Sequence, residues 1–498
     1  MDYKDLTKEI SRYSLYNLVA FCCSKSSVFM RALENKPDVD THWPWVLDAF
    51  ACFSIRYGKE NFLYDYDEDR FQEMYETIMD HIPAFFKKVS FLNAIEQFYV
   101  SDYGLQKRFY NHKFKLYRHC FLFSNKPLNE YYIDKYKFHY YRYISFAFVM
   151  FRLFELFKNT NSLQEKAGFA SVYEHFYNKN LDLMKVADLS IERDKYTEYY
   201  RTVDDDNIKY CFNILWWKPF VTVSNNVYTP CPYHVFDSVT TSFVSNLTDG
   251  HDNIRQKFGE ALEKFVCELI LNSNQFEESK GEFIYGNSQK TSDAMAKSGN
   301  DYVFWEVKAF TPGYKVFLGN EKQVENAIDR VAEAVEQLFT SAFEKFQVEY
   351  WFNQDRHEDN VPIDNRWGMV VVNEEILVKR ELIYKKAAEI HKVSIESNDY
   401  EIMRERIAIS DIDEFEKCCI FGESIIAKLK NRKNNNDFDS VFQYNKDKVL
   451  IEYSNNKNNE IYSKIMQSLE LEYQALIIEL IEKGLVTVNV SKNSQKNM

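Results

Sequence analysis

Apolar residues recur every three or four positions through most of the first 200 residues of the chain. Four stretches show this spacing clearly, residues 6–28, 45–55, 70–86 and 131–157. A period of three to four residues places the apolar side chains on one face of a helix, which then packs against its neighbours. The acidic run at residues 204–206 ends the pattern. We therefore predict a mostly helical N-terminal domain over residues 1–205, with a role in recognition or regulation.

The pattern changes twice beyond residue 205. Residues 212–236 contain short apolar runs and three prolines, which predicts a packed connector of strands and turns within residues 206–250. Helical spacing returns at residues 252–273, where one apolar stripe contains Phe258, Leu262, Phe265, Val266 and Leu269. A short strand at 283–285, a hairpin, a helix at 321–346 and a strand at 367–372 follow. This order predicts an α/β core over residues 251–376.

Weaker helical patterns alternate with polar segments in the last quarter of the chain. We predict helices at residues 377–391, 411–430 and 460–483, with an asparagine-rich run before the last of them. These helices form a C-terminal helical region over residues 377–490. The polar residues 491–498 are expected to be a disordered tail.

A two-residue Gly299-Asn300 turn divides residues 292–310 into two short apolar runs, which predicts a β-hairpin. If these two residues form the loop, Asp293 lies opposite Glu306 across the hairpin. Like charges placed opposite each other in a strand pair are destabilising, so something must offset their repulsion.

Side-chain alternation places Lys308 on the same face as both of these carboxylates. The residues Val303, Trp305 and Val307 point to the other face, into a core. Two carboxylates beside a lysine are the parts of a divalent-cation site for phosphodiester chemistry. The alternative is an ordinary exposed pair of charges, Glu306 and Lys308, on an edge strand.

The overall charge limits how the chain can contact nucleic acid. The 498 residues carry a formal net charge of −13, whereas proteins that coat DNA are more often basic, so any nucleic-acid contact should be confined to local patches. Hydrophobic residues make up 45% of the chain, enough to fill substantial cores, and this argues against wholesale disorder.

Cysteine usage and hydropathy bear on the compartment. The 9 cysteines are scattered without a C-x-x-C motif, which indicates reduced thiols in a cytoplasmic protein. Cys231 and His234 lie close together in the sequence, but no zinc-type Cys/His cluster is apparent. Charged residues interrupt the first ten positions, so no signal peptide is expected. The most apolar window, residues 143–157, is short and contains Arg152 and Glu155, so we predict a buried helix and no membrane association.

The residues around the hairpin resemble the PD-(D/E)xK nuclease superfamily, which has the restriction-endonuclease-like fold. "SDAMA" at residues 292–296 is similar to the first half of its motif, with Ser292 where proline is usual, and "VFWEVKA" at residues 303–309 resembles the second half. The upstream helix resembles the G-x-x-[LF]-E-x-x-V form often seen in the superfamily, through Gly259, Leu262, Glu263 and Val266. The resemblance covers about residues 253–372, roughly a quarter of the chain.

This resemblance implies a Mg²⁺-dependent phosphodiesterase, with Mn²⁺ as a substitute. Asp293 and Glu306 would hold the ion, together with the backbone carbonyl of Val307 and with Glu263, for which Glu260 is the alternative. Mg²⁺ prefers oxygen ligands and keeps several waters, so such a set suffices. Lys308 would orient the attacking hydroxide or stabilise negative charge. Gln323, at the start of the next helix, matches a position that supports some of these sites.

A basic and aromatic segment at residues 105–143 is the second candidate feature. It holds nine Lys and Arg against two acids, interleaved with Tyr and Phe, a combination suited to nucleic acid. Lys113, Lys115 and Arg118 are the candidate contact residues. The alternative is the solvated face of a helical bundle with an aromatic core.

The sequence thus favours a metal-dependent nuclease that acts on DNA rather than RNA, within a mixed α and β protein. Its composition and domain combination suggest a bacterial antiviral defence effector, with a homo-oligomer or a regulatory protein as partner. The alternative is a non-enzymatic sensor or scaffold that binds nucleic acid through an inactive nuclease-like fold.

Overall fold

Two compact units make up the protein, and each is assembled from separate stretches of the chain. The computed structural model describes residues 3–35, 44–60, 64–80, 112–136, 139–147, 189–201, 213–224, 226–240, 244, 252–285, 289–312, 316, 320–346, 361–374, 376, 378–438 and 460–482. Unit 1 comprises Met1–Phe86, Asn129–Asn246 and Lys464–Met498. Unit 2 comprises Lys87–Leu128 and Leu247–Ser463.

Helices and strands alternate in the second half of the chain and helices dominate the first. The helices are α1 (Tyr3–Ile10), α2 (Leu15–Asn35), α3 (Pro44–Tyr57), α4 (Glu68–Asp80), α5 (His112–Ser124), α6 (Lys126–Tyr136), α7 (Arg193–Tyr199), α8 (His234–Val239), α9 (Asp252–Asn272), α10 (Glu321–Phe339), α11 (Arg380–His391), α12 (Asn398–Arg406), α13 (Ile412–Phe421), α14 (Ile425–Asn434) and α15 (Glu460–Glu482). The strands are β1 (Ser190–Glu192), β2 (Phe220–Val223), β3 (Asn226–Tyr228), β4 (Glu278–Gly281), β5 (Ile284–Tyr285), β6 (Gln289–Lys290), β7 (Ala294–Ser298), β8 (Asp301–Lys308), β9 (Arg366–Val372) and β10 (Ile407–Asp411).

Unit 1 combines packed helices with a small three-stranded sheet. The predicted helix at residues 6–28 is two helices, α1 and α2, because Tyr13 and Ser14 between them form β-bridges to Tyr64 and Lys59. In the sheet, β2 pairs with β1 in parallel and with β3 in antiparallel orientation. Strands β2 and β3 lie in the segment 212–236, where strands and turns were predicted, together with a 3-10 helix at Ile214–Trp216, and the strand β1 was not predicted.

A five-stranded mixed sheet forms the centre of unit 2, in the order β10-β9-β8-β7-β4. Strands β8, β9 and β10 run parallel, and β7 pairs antiparallel with both β8 and β4. The hairpin register is the predicted one, since Lys297 lies opposite Tyr302 and Met295 lies opposite Phe304. Gly299 takes a φ of 59° in the turn, a conformation that disfavours residues with a Cβ.

Both faces of this sheet are covered, so the strand pair is not half-exposed. On one face, Tyr302 and Phe304 of β8 pack in a core with α10 and α11. On the other face, Trp305 contacts Phe276, which follows α9, and Phe415 of α13. The prediction that Val303, Trp305 and Val307 lie in a core is confirmed, since all three are buried.

Three predicted elements of unit 2 need correction. The predicted helix at 411–430 is the end of β10 followed by α13 and α14; Asp411 caps α13 through its side chain, and Gly422 ends it with a φ of 69°. The predicted strand at 283–285 corresponds to the short β5, and β4 and α12 were missed. The predicted helix at 321–346 is α10, which ends at Phe339 and continues as the π-helical turn Thr340–Glu344.

The chain is thus a mixed α and β protein with a small five-stranded mixed sheet. Across the described ranges, we find no helix that combines the length and the apolar character needed to cross a bilayer. The predicted tail at residues 491–498 lies outside the described residues, as do residues 148–157 of the apolar window.

Candidate functional site

Acidic side chains meet at the end of the β7–β8 hairpin that lies away from its turn. Asp293 immediately precedes β7, and because Ala294 pairs with Trp305, Asp293 lies next to Glu306 across the hairpin. The backbone amide of Val307 donates a hydrogen bond of 2.6 Å to Asp293 Oδ2. This bond holds the carboxylate of Asp293 against the neighbouring strand.

Lys308 connects the hairpin to α10 through its hydrogen bonds. Its Nζ donates to Glu306 Oε1 at 2.6 Å and to Gln337 Oε1 of α10 at 2.8 Å. Burial lowers the pKa of Lys308, but the charges of Glu306 and Asp293 outweigh burial and raise that pKa above its usual value. Lys308 is therefore held as a cation among the carboxylates.

Glu306 resists ionisation in spite of this lysine. Only 8% of the residue is exposed, and burial, followed by the charge of Asp293, raises its pKa to about 7. Lys308 opposes that rise through its charge and its hydrogen bond. The ion pair with Lys308 is thus too weak to offset the loss of water around Glu306.

Glu263 of α9 belongs to the same group of acids. Burial, followed by the charges of Asp293 and Glu282, raises the pKa of Glu263 to about 7. Burial also raises the pKa of Asp293, against the opposing effects of the Val307 amide and Lys308. The three carboxylates Glu263, Asp293 and Glu306 therefore lie close enough to affect one another's ionisation.

A group of this kind is short of positive charge, and apart from Lys308 and the neighbouring thiol of Cys267 it offers oxygen atoms as metal ligands. Both properties fit a Mg²⁺ ion, which prefers carboxylate oxygens and keeps several waters. The ligand atoms of these carboxylates are not all within 4.8 Å of one another. In the part of the chain that the structure describes, the group that meets this distance is Asp48, Cys231 and His234, in unit 1. Water ligands would have to complete the coordination of an ion held by Glu263, Asp293 and Glu306.

The structure favours Glu263 over Glu260 as the helix acid. Glu260 is exposed, and its Oε1 accepts a hydrogen bond of 2.9 Å from Gln256 on the same helix. Glu263 is partly buried and interacts electrostatically with Asp293 and Lys308.

The structure does not bring Gln323 together with the carboxylates of the hairpin. Gln323 lies in the first turn of α10, 14 residues before the glutamine that binds Lys308, Gln337. At a rise of about 1.5 Å per residue, the two positions are roughly 21 Å apart along the helix. The backbone amide of Gln323 is instead capped by the side chain of Asn320.

Sequence reasoning missed Gln337 and Glu282. Gln337 lies 29 residues from Lys308 on the polar side of a long helix, and no pattern distinguishes it from its polar neighbours. Glu282 forms an ion pair of 2.8 Å with Lys290 and adds negative charge near Glu263. The proposed metal contact through the carbonyl of Val307 stays a prediction.

The nucleic-acid role assigned to Lys115 and Arg118 does not fit their burial. Only 4% of Lys115 and 2% of Arg118 are exposed. Arg118 of α5 forms ion pairs of 2.7 Å with Asp413 and 2.6 Å with Glu416 of α13. A buried guanidinium that is neutralised by two carboxylates presents no charge to a phosphate. The side chain of Lys113 lies outside the described residues.

Comparison with known proteins adds no further assignment. No protein-family model, no curated protein and no solved structure matches the chain.

Proposed function

We propose that the chain is a metal-dependent nuclease that hydrolyses phosphodiester bonds, with its catalytic centre at the β7–β8 hairpin. The observation that carries the proposal is the convergence of Glu263, Asp293 and Glu306 on one lysine, Lys308. Carboxylates that are costly to ionise without a cation, placed beside an ammonium, are the groups that this chemistry requires.

The order of elements in unit 2 supports the proposal. An acid-bearing helix, α9, precedes β4 and the β7–β8 hairpin, and then α10 leads to the parallel strand β9. This order resembles the restriction-endonuclease-like fold, in which the D and E-x-K positions lie on neighbouring strands. Here those positions are Asp293, Glu306 and Lys308.

Each residue of the site would have a separate role in the reaction. Asp293 and Glu306 would hold a divalent cation, and Glu263 and the carbonyl of Val307 would supply further oxygen atoms. When bound, Mg²⁺ polarises the scissile phosphate and lowers the pKa of the attacking water, and Mn²⁺ substitutes for it. Lys308, which Glu306 and Gln337 hold by hydrogen bonds, would stabilise negative charge on the phosphate.

We propose DNA as the substrate, on the strength of the resemblance to the PD-(D/E)xK superfamily. The net charge of −13 argues for local contact near the site rather than a broad basic surface. RNA is the competing substrate, and a direct comparison decides between them.

The test is cleavage by the purified full-length protein of supercoiled plasmid, single-stranded DNA and single-stranded RNA, with Mg²⁺, Mn²⁺ or EDTA. We expect metal-dependent cleavage of DNA that EDTA abolishes. Glu306→Gln and Lys308→Met should each lower the rate by about 10²-fold or more, because the first removes a metal ligand and the second removes the charge that stabilises the transition state.

Lys430→Met is the matched control. Lys430 forms a comparable ion pair of 2.6 Å with Asp301, at the other end of β8. Its loss should leave the rate within about twofold of wild type, since an exposed ion pair contributes at most about 1 kcal/mol to stability. A folded wild-type protein that cleaves none of the three nucleic acids with either metal would contradict the proposal and favour a nucleic-acid-binding scaffold.

A further inference from the structure

A second group of metal-ligating side chains lies in unit 1, in a different unit from the carboxylates of the hairpin. Asp48 of α3, Cys231 before α8 and His234 at the start of α8 are buried, with exposed fractions of 3%, 1% and 0%. Their ligand atoms all lie within 4.8 Å of one another. Cysteine is commonly buried, but aspartate is almost never fully buried unless it is paired, so the burial of Asp48 beside Cys231 and His234 calls for an explanation.

The chemistry of this set selects a particular metal. Thiolate and imidazole are the ligands of Zn²⁺, whereas Mg²⁺ and Ca²⁺ take oxygen ligands. Cys231 and His234 are three residues apart, so two ligands come from one turn of the chain and the third, Asp48, from a helix about 180 residues earlier.

The surroundings of Asp48 support a ligand role. Trp216 Nε1 donates to Asp48 Oδ2 at 2.9 Å, which fixes the orientation of the carboxylate. The other oxygen, Oδ1, lies 2.6 Å from His234 Nε2 and accepts a hydrogen bond of 2.5 Å from the hydroxyl of Tyr233. A carboxylate bound by a neighbour on one oxygen and turned towards other ligands on the second is the usual arrangement around protein metal sites.

The carboxylate of Asp48 and the imidazole of His234 need to move little to bind one ion. With zinc bonds of about 2.0–2.2 Å in tetrahedral geometry, a carboxylate oxygen and an imidazole nitrogen lie roughly 3.4 Å apart. Asp48 Oδ1 and His234 Nε2 would have to separate from 2.6 Å, a change of less than about 1 Å.

A second thiol lies nearby, and it also interacts with the side chain of Ser54. Cys22 of α2 is fully buried and interacts electrostatically with both Asp48 and Cys231. The adjacent Cys23 is engaged elsewhere, because its thiol donates to the carbonyl of Thr229 at 3.0 Å.

We propose that Asp48, Cys231 and His234 bind a structural zinc ion that joins α3 to the start of α8. Zinc bound in this way contributes its binding free energy to folding, because the unfolded chain has no such site. The site is closed to solvent, which is typical of structural rather than catalytic zinc.

Metal analysis of the full-length protein tests this, with any affinity tag removed and expression in zinc-supplemented medium. We expect about one zinc ion per chain after gel filtration. Exchange with Co²⁺ should give the near-ultraviolet absorption of thiolate-to-cobalt charge transfer. A folded wild-type protein with only trace zinc and no such absorption would overturn the proposal and indicate a metal-free Asp48–His234–Tyr233 hydrogen-bond network.

Variants assign the ligands. Cys231→Ser should abolish the charge-transfer band, since Cys231 supplies the thiolate of the site. Cys23→Ser is the matched control in unit 1 and should keep the full band. Cys267→Ser removes the thiol that contacts the backbone of Asp293 at 3.7 Å, so a band lost in that variant would place the metal at the hairpin and overturn the proposal.

Discussion

Three carboxylates and one ammonium at the β7–β8 hairpin leave an excess of negative charge, and this excess sets how the site responds to pH. Burial and the neighbouring acids raise the pKa values of Glu263 and Glu306 to about 7. A Mg²⁺ ion binds the ionised forms, so protons and metal compete for the same oxygen atoms. Metal affinity should therefore rise with pH until both carboxyl groups have lost their protons.

The same carboxyl groups should affect the stability of the metal-free protein in the opposite direction, so that stability falls as the pH rises. A glutamate titrates at about 4.3 in an unfolded chain, whereas the pKa of Glu306 in the folded protein is about 7. Between these values the folded state keeps a proton that the unfolded state has released, so a rise in pH favours unfolding. We expect Glu306→Gln to gain stability relative to wild type as the pH rises through this window.

Urea denaturation in EDTA, from about pH 5 to about pH 8, measures this difference. Excess Mg²⁺ should remove the variant's advantage at the upper end, because the metal binds only the ionised wild-type site. A difference between the two proteins that does not change with pH would mean that Glu306 is not a carboxyl group of raised pKa.

Some site residues were predictable from sequence and others were not. Asp293, Glu306 and Lys308 lie within 16 residues of one another, so the turn and the alternation of side chains were enough to place them together. Arg118 was misassigned because a local window shows its charge but not its partner Glu416, which is 298 residues away. A basic residue cannot be called a surface contact until its buried neighbours are known.

At the scale of elements, local turn chemistry was a better guide than apolar content alone. The β7–β8 hairpin was predicted in the correct register because Gly299 and the alternating pattern act within a few residues. The strand β10 was missed because all five of its residues are buried, so it shows no alternation and resembles part of a helix. Only the pairing of β10 with β9 identifies it as a strand.

The packing of β9 gives a prediction at this scale. A Cβ added at Gly368 would lie 3.0 Å from Ile407 Cγ1 of β10 and 3.0 Å from Leu338 Cδ2 of α10. Gly368→Ala should therefore destabilise the protein by about 1–3 kcal/mol, as overpacking does in other cores. Urea denaturation followed by circular dichroism measures the loss.

Gly259 of α9 is the matched control for this substitution. A Cβ at that position would lie 3.9 Å from Ala309 Cβ, an ordinary contact, and alanine is the better helix former by about 0.5–1 kcal/mol. Gly259→Ala should be neutral or stabilising. Equal losses of stability in Gly368→Ala and Gly259→Ala would mean that the close contacts at Gly368 do not cause the destabilisation.

At the scale of the whole molecule, the compact units do not follow the order of the chain. The sequence divided the protein into continuous domains, whereas unit 1 includes Lys464–Met498 and unit 2 includes Lys87–Leu128. Periodicity is a local property and carries no information about which distant segments pack together. Composition and spacing can therefore indicate that an α/β core exists without showing which helices complete it.

The two proposed metal sites lie in different units, and this separation gives a prediction for the full-length protein. Asp48, Cys231 and His234 belong to unit 1, while Asp293 and Glu306 belong to unit 2. A ligand at a hundred times its dissociation constant stabilises the structure that binds it by about 2.7 kcal/mol, and it does so only where binding requires that structure. Each metal should therefore slow amide hydrogen exchange mainly in its own unit.

Hydrogen exchange followed by mass spectrometry resolves the two effects in one sample. Mg²⁺ added to the zinc-loaded protein should slow exchange in β7 and β8 and leave α3 and α8 unchanged, because its ligands lie only on the hairpin and α9. A chelator strong enough to remove zinc should speed exchange in α3 and α8. It should abolish the protection of β7 and β8 only while it also binds the Mg²⁺. Readdition of Zn²⁺ alone should then restore α3 and α8 without protecting the hairpin. If Zn²⁺ protected β7 and β8 instead, both metals would compete for the carboxylates, and the buried Asp48 cluster would be a hydrogen-bonded core rather than a metal site.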